Sequence, residues 1–388
     1  MKNIMISSFI LLAILWIVIP DWLGINAPLI KKSTASESVL AQRLQMPEGF
    51  SLSVFADNLS GARMLLITEV GDVLVSLPED GKVMLLEQSH KLKGVAGVRR
   101  ELINNLNLPH GIALYQDWLY IAESDAVGRI HFDARSGKTK GDYQRLITGL
   151  PEGGNHWSRS LHFGPDNKLY VSVGSSCNVC EEEDPRRAAL LRFTPEGQQA
   201  EIFATGLRNT VGFDWHPTSH KLYGVDNGRD FLGDNFPPCE LNQIEQAGFY
   251  GWPYVNGNQV LDPDFGKAKP SWLARSIAPV HEFGAHTAPL SLVFLKNKRL
   301  RSALNADGLV ALHGSWNRSV KTGYKLVALT FDTEKGISER DFITGFEKKD
   351  DVIGRPVDIV EASDGSLYIS DDFSGSIYRV SYSESKID

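Results

Sequence analysis

The chain has 388 residues, enough to bury one large core rather than several small ones. Hydrophobic residues make up 42% and charged residues 22%, a globular balance that excludes wholesale disorder. A formal net charge of −7 excludes broad nucleic-acid binding, because phosphate contacts need a basic face.

The first element in the chain is an uncharged apolar run, residues 4–20, preceded by Lys2. Such a run is a secretory signal or a short uncleaved anchor. Ile25-Asn26-Ala27 is the nearest small-residue cleavage pattern and a poor one, which favours the anchor. On either reading the body is expected outside the cytoplasm, in a periplasm, with N-terminal contact to the inner membrane if the run is retained. Residues 1–27 are therefore set apart as signal or anchor, 28–45 as linker and 46–388 as the folded domain.

From Met46 the chain repeats one signature about every fifty residues. A short apolar strand meets a Gly, Asp or Asn turn, and a second strand of Leu-Tyr-Val type follows. Six copies begin near Arg63, His110, Ser160, Val211, Leu290 and Pro356. With further strands between copies, such as Arg129–Phe132 and Tyr324–Leu329, each repeat holds four strands. Six repeats of four strands predict an all-β fold, a six-bladed β-propeller. Ser376–Val380 is expected to close the ring near Leu52–Phe55. Glu181–Ala189 and Glu240–Ala247 are left as stretches for a helical turn or two. The longer spacing between Trp215 and Leu290 predicts functional loops at Asp226–Pro238 and Trp252–Ile277.

Of the three cysteines, Cys177 and Cys180 are spaced for a local disulfide, leaving Cys239 unpaired. A zinc site lacks a second pair of ligands, and a redox motif of thioredoxin type lacks its βαβ setting.

In a propeller, residues just before each innermost strand gather at one mouth of the central tunnel. Here they include His156 and Arg159, then Arg208-Asn209, with His313 to Arg318 ending a strand in blade five and Gly354-Arg355 opening blade six. A single arginine of this kind more often bridges blades through a carboxylate. The set together points to a small polyanionic ligand. His156 reads either as a hydrogen-bonded structural residue or as a general base. Asp226-Asn227-Gly228-Arg229-Asp230 reads either as a calcium-binding loop or as an Asx turn.

These segments resemble the glucose/sorbosone dehydrogenase family, closest to its L-sorbosone dehydrogenase-like branch. The match runs from Met46 to Val380. It rests on His156-Trp157-Ser158-Arg159 before Gly164-Pro165-Asp166, and on Gly206-Leu207-Arg208-Asn209. Asp226-Asn227-Gly228, Glu240 to Ile244, Gly248 to Pro253, Gly314 to Arg318 and Gly354-Arg355-Pro356 complete it.

The resemblance implies a soluble dehydrogenase that uses pyrroloquinoline quinone (PQQ) and calcium. Its catalytic base falls on His156. Its cofactor contacts fall on Arg208, Asn209, Asn317 or Arg318, and Arg355. Its calcium-binding carbonyls fall on Gly228 and Arg229. The implied substrate is a sugar hemiacetal or hydrated aldehyde, with hydride passing to the quinone and electrons onward to an external cytochrome or quinone. Against the family pattern, Ser175 stands where an aspartate orients the histidine, and Asn155 replaces an acidic residue. Asn317 replaces a lysine, Val357 a second late arginine, and Cys239 an acidic loop residue. The alternative reading is a calcium-dependent lactonase-like propeller or a non-catalytic sugar-binding one.

Overall fold

The computed structural model describes residues 25–28, 30–89, 91–92, 94–332 and 334–384. Residues 1–24 of the expected signal or anchor lie outside this set.

Six sheets form the blades of a propeller, each with four antiparallel strands, and blade three gains a fifth, short strand, Gly248–Phe249, paired parallel to Glu201–Thr205. Their innermost strands are Leu65–Ile67, Ile112–Tyr115, Leu161–Phe163, Thr210–Trp215, Pro289–Phe294 and Pro356–Glu361. Blade six is closed by the start of the domain: Phe50–Ala56 pairs antiparallel with Ser376–Tyr382, setting Leu52 opposite Val380. The ring is thus fastened by the strand pair expected from sequence.

The second strand of each blade shows why continuous apolar runs were the signature. Leu169–Val173, Gly308–Leu312 and Leu367–Asp371 are buried at every position. A strand sandwiched between two neighbouring blades has no solvent face, so its polar alternation disappears. The fourth strands lie on the rim, and among them Lys138–Thr148 is mostly exposed.

Near the axis adjacent inner strands approach closely. A Cβ on Gly111 would lie 2.7 Å from the backbone N of Leu161, and one on Gly212 would lie 2.6 Å from that of Leu292. Only glycine fits there. Asp358 joins three blades at the axis: its carboxylate accepts from Leu65 N at 2.8 Å and from the Ser291 hydroxyl at 2.7 Å.

Two sequence expectations are corrected. Residues 240–247 do not form a helical turn, because Cys239–Ile244 is the third strand of blade four, in register with Leu222–Asp226. Residues 181–188 carry no helix either, and Ala189 starts a strand. Pairing to a neighbouring strand overrides local propensity here. The long insertion after Trp252 folds as a small hairpin, Val255–Asn256 with Val260–Leu261, and a 3-10 turn at Pro270–Arg275.

Candidate active site

A cavity of about 450 Å³ opens at the tunnel end where the inner strands begin. Four of the eight positions expected from sequence line it: His156, Arg208, Asn209 and Gly228. Asn155, Asn227, Asp230, Cys239, His286, Ala288 and Trp316 complete the wall.

His156 precedes the inner strand of blade three. Its Nδ1 lies 2.8 Å from Ser175 O and 2.9 Å from Ser175 Oγ. Burial pushes the imidazole pKa down to about 3, with the Arg208 charge adding to the effect. The ring is therefore neutral in ordinary buffers. Because a carbonyl only accepts, Nδ1 carries the hydrogen and Nε2 keeps its lone pair. Ser175 Oγ in turn donates to Cys177 O at 2.8 Å. The serine that replaces the expected aspartate still fixes the tautomer, without supplying a carboxylate charge.

Arg208 is 5% exposed and anchored mainly to carbonyls. Its Nε donates to Asn178 O at 2.9 Å and its Nη1 to Asn227 O at 3.1 Å. Its Nη2 reaches Asn178 Oδ1 at 2.9 Å and Asp230 Oδ2 at 3.3 Å. Burial lowers its pKa and Asp230 offsets part of that. Asn178 lies inside the Cys177–Cys180 disulfide, which the structure contains as expected. The disulfide loop thus carries partners of both Arg208 and Ser175.

The other expected positions stand outside the cavity wall. Arg159 turns away: its guanidinium donates to the carbonyls of Pro151, His156 and Ser158. Arg229 forms a buried fork on Asp262, at 2.9 and 2.7 Å, and a further bond to Asp264, tying down the long insertion. Arg318 donates to Asp234 O and Asn235, and Asn317 Oδ1 accepts from Phe231 N at 2.7 Å. Arg355 donates to the carbonyls of His313 and Gly314.

Arg355 belongs to a second charged group. Asp372 accepts from Arg63 at 2.8 Å and from His313 Nε2 at 2.8 Å. Burial pushes the Asp372 pKa up, but His313, Arg63 and Arg355 together hold it well below the usual carboxylate range. Arg63 lies 5.9 Å above the Trp157 ring, next to His156 in sequence. Sequence reasoning passed over Arg63, His110 and His286. Arg63 and His110 open the first two blades, so the rule that exposed His156 would have found them. His286 sits on an inserted corner with no such marker.

A model of the TrAA12-like family matches residues 44–246 and 256–383. The chain belongs to the TrAA12-like family. This TrAA12-like chain is 32% identical over 371 residues to an uncharacterized protein of Borreliella burgdorferi, covering 91% of this chain and 95% of that one. It is 24% identical over 410 residues to the pyrroloquinoline quinone-dependent pyranose dehydrogenase of Coprinopsis cinerea. That match covers 87% of this chain but only 54% of the Coprinopsis protein, so this chain spans about half its length. The calcium structure of the Trichoderma reesei carbohydrate-active enzyme of family AA12 superposes with a TM-score of 0.75. Its sequence identity is 19%, and the match covers 88% of this chain and 97% of that one.

The TrAA12-like cavity suits an anionic cofactor and a hard cation. A buried guanidinium whose only carboxylate contact is 3.3 Å long favours an anion. Among the described residues, the one His, Cys, Asp or Glu triad at metal distance is Cys177, Cys180 and Glu182, and its sulfurs are joined in the disulfide. A cation in the cavity would therefore rest on carbonyl and amide oxygens around Asn209, Asn227 and Gly228, with Asp230 as carboxylate. That donor set suits calcium.

Proposed function

We infer that this chain is a PQQ- and calcium-dependent dehydrogenase. It oxidises the anomeric hydroxyl of a pyranose or aldose, or the hydrate of a sorbosone-like aldehyde. The observation that carries this reading is a neutral His156 with Nδ1 tied to Ser175, on one cavity wall with the buried Arg208. The names of the Coprinopsis and Trichoderma relatives support it.

In this reading His156 Nε2 takes the hydroxyl proton, and Ser175 keeps the ring in the accepting tautomer. Arg208 and Asn209 would hold the carboxylates of the quinone. Oxygens of Asn209, Asn227 and Gly228, with the Asp230 side chain, would hold calcium, while Arg229 braces the loop through Asp262. Asn317, Arg318 and Arg355 act from outside the wall, by fixing the loops that frame it. When bound, the quinone supplies the hydride acceptor, and an external cytochrome or quinone takes the electrons. The body works outside the cytoplasm.

Fluorescence titration of the cofactor-free protein with PQQ, with and without calcium, tests the assignment. Saturable binding strengthened by calcium is expected. Sugar binding by calorimetry with no quinone binding would point to a non-catalytic sugar-binding propeller instead.

A further inference from the structure

The cavity mouth and the start of the described chain meet at one place. Ile25 pairs with Asn317, and Asn26 donates its backbone N–H to Trp316 O at 2.8 Å. The Asn26 side chain reaches Ser319 O at 3.0 Å and also contacts Lys321. The segment that lines the cavity through Trp316 is thus the segment on which the N-terminal strand end docks.

The same rim carries three exposed apolar side chains. Trp316 is 38% exposed, Phe231 51% and Val320 68%. The rings of Phe231 and Trp316 meet edge to face with centroids 5.7 Å apart. Phe231 has φ of +68°, a costly conformation for an aromatic residue, and the Asn317 side chain holds its N–H there. Apolar groups gathered in water at one rim, one of them on a strained backbone, mark a contact surface.

The chain itself indicates what covers it. Residues 4–20 are free of charge and end five residues before Ile25. Five residues span at most about 17 Å when fully extended. The apolar run therefore joins the body beside the cavity mouth. A body with net charge −7 gains little from anionic headgroups, so its membrane contact must be apolar. Tryptophan is suited to that interface, with an apolar ring and one polar N–H.

We propose that residues 1–24 remain attached as a membrane anchor and that the Phe231–Trp316–Val320 rim rests on the bilayer, turning the cavity mouth towards the membrane. Cleavage at Ala27 would strip away Ile25 and Asn26, and with them the contacts to Trp316, Asn317, Ser319 and Lys321. This surface stands independently of the chemistry proposed above.

The test uses the full chain in phosphatidylcholine vesicles whose acyl chains carry bromine near the headgroup. Bromine quenches tryptophan fluorescence only at contact range. Trp16 and Trp22 contribute equally to wild type and Trp316→Phe, so the difference isolates Trp316. The quenched fraction is expected to fall in Trp316→Phe, and Val320→Asp is expected to lower it while leaving the circular dichroism unchanged. The intact mass of protein purified from membranes should include residues 1–24. Equal quenching in wild type and both variants would overturn the proposal, as would a mature N-terminus at Pro28. Unchanged quenching in Phe231→Ala combined with weaker maltotriose binding by calorimetry would also overturn it, making the aromatic pair a sugar platform. No arm uses turnover or quinone, so failure here is separable from failure of the dehydrogenase reading.

Discussion

His156 and Ser175 form a two-point contact in which one imidazole nitrogen meets both a carbonyl, at 2.8 Å, and a hydroxyl, at 2.9 Å. The carbonyl settles the tautomer, and the hydroxyl adds a second acceptor. Ser175→Ala is therefore expected to keep the tautomer and lower kcat by less than about tenfold, whereas His156→Ala lowers kcat by about 10²–10⁴. Quinone affinity should change little in either variant. A Ser175→Ala loss as large as that of His156→Ala would show that the hydroxyl, not the carbonyl, sets the base.

Arg208 takes two of its four partners from Asn178, which the Cys177–Cys180 disulfide closes into a tight loop. Loss of that closure loosens the clamp. Cys177→Ser with Cys180→Ser is expected to weaken PQQ binding about threefold to tenfold. Arg208→Lys should weaken it about a hundredfold, because an ammonium cannot reproduce the planar fork. Titration of both variants checks the order, and an unchanged affinity in Arg208→Lys would contradict the role given to the guanidinium.

Asp358 is a fold residue rather than a site residue, since its carboxylate serves Leu65 N, Ile359 N and the Ser291 hydroxyl in the axis. Asp358→Ala strands the buried Leu65 N–H and Ser291 hydroxyl, while the Ile359 N–H keeps the Ser291 oxygen at 3.2 Å, and each stranded donor costs about 1–3 kcal/mol. A loss of about 3 kcal/mol or more in urea unfolding is expected. A loss below about 1 kcal/mol would show that water replaces the carboxylate.

His162 gives a pH test that does not involve the cavity. It is half-buried on the inner strand of blade three, where loss of solvation pushes its pKa down to about 4, with Lys296 adding to the effect. The unfolded chain takes up this proton near pH 6.5, but the fold resists until about pH 4. The stability contribution is therefore full above pH 6.5 and is lost as pH falls towards 4. Relative to His162→Leu, the wild type should lose up to about 3 kcal/mol across that window. Parallel pH profiles of the two proteins would contradict it.

The propeller was legible because its cause is repetition. Leu169-Tyr170-Val171 and Leu367-Tyr368-Ile369 look alike because each is a second strand enclosed on both faces. Residues 240–247 misled because their helical look is local, whereas their strand pairing comes from Leu222–Asp226. His156, Arg208 and Asn209 were readable from position at the blade starts, and Gly228 from the oxygen-rich turn after Leu222–Asp226 together with the family resemblance. The direction of a guanidinium was not, since Arg159 folds back onto carbonyls of its own loop, and Arg229 and Arg318 turn to groups on loops distant in sequence. Asn178 carried no signal at all, because its role depends on a disulfide loop folding back over Arg208.

The central claim is tested most directly by dye reduction with the full chain supplied with PQQ and calcium, across a panel of pyranoses, aldoses and sugar-derived aldehydes. Turnover that requires both additives and is lost in His156→Ala is the predicted result. Tight quinone binding with no reduction of dye on any sugar, or turnover that survives in His156→Ala, would contradict it.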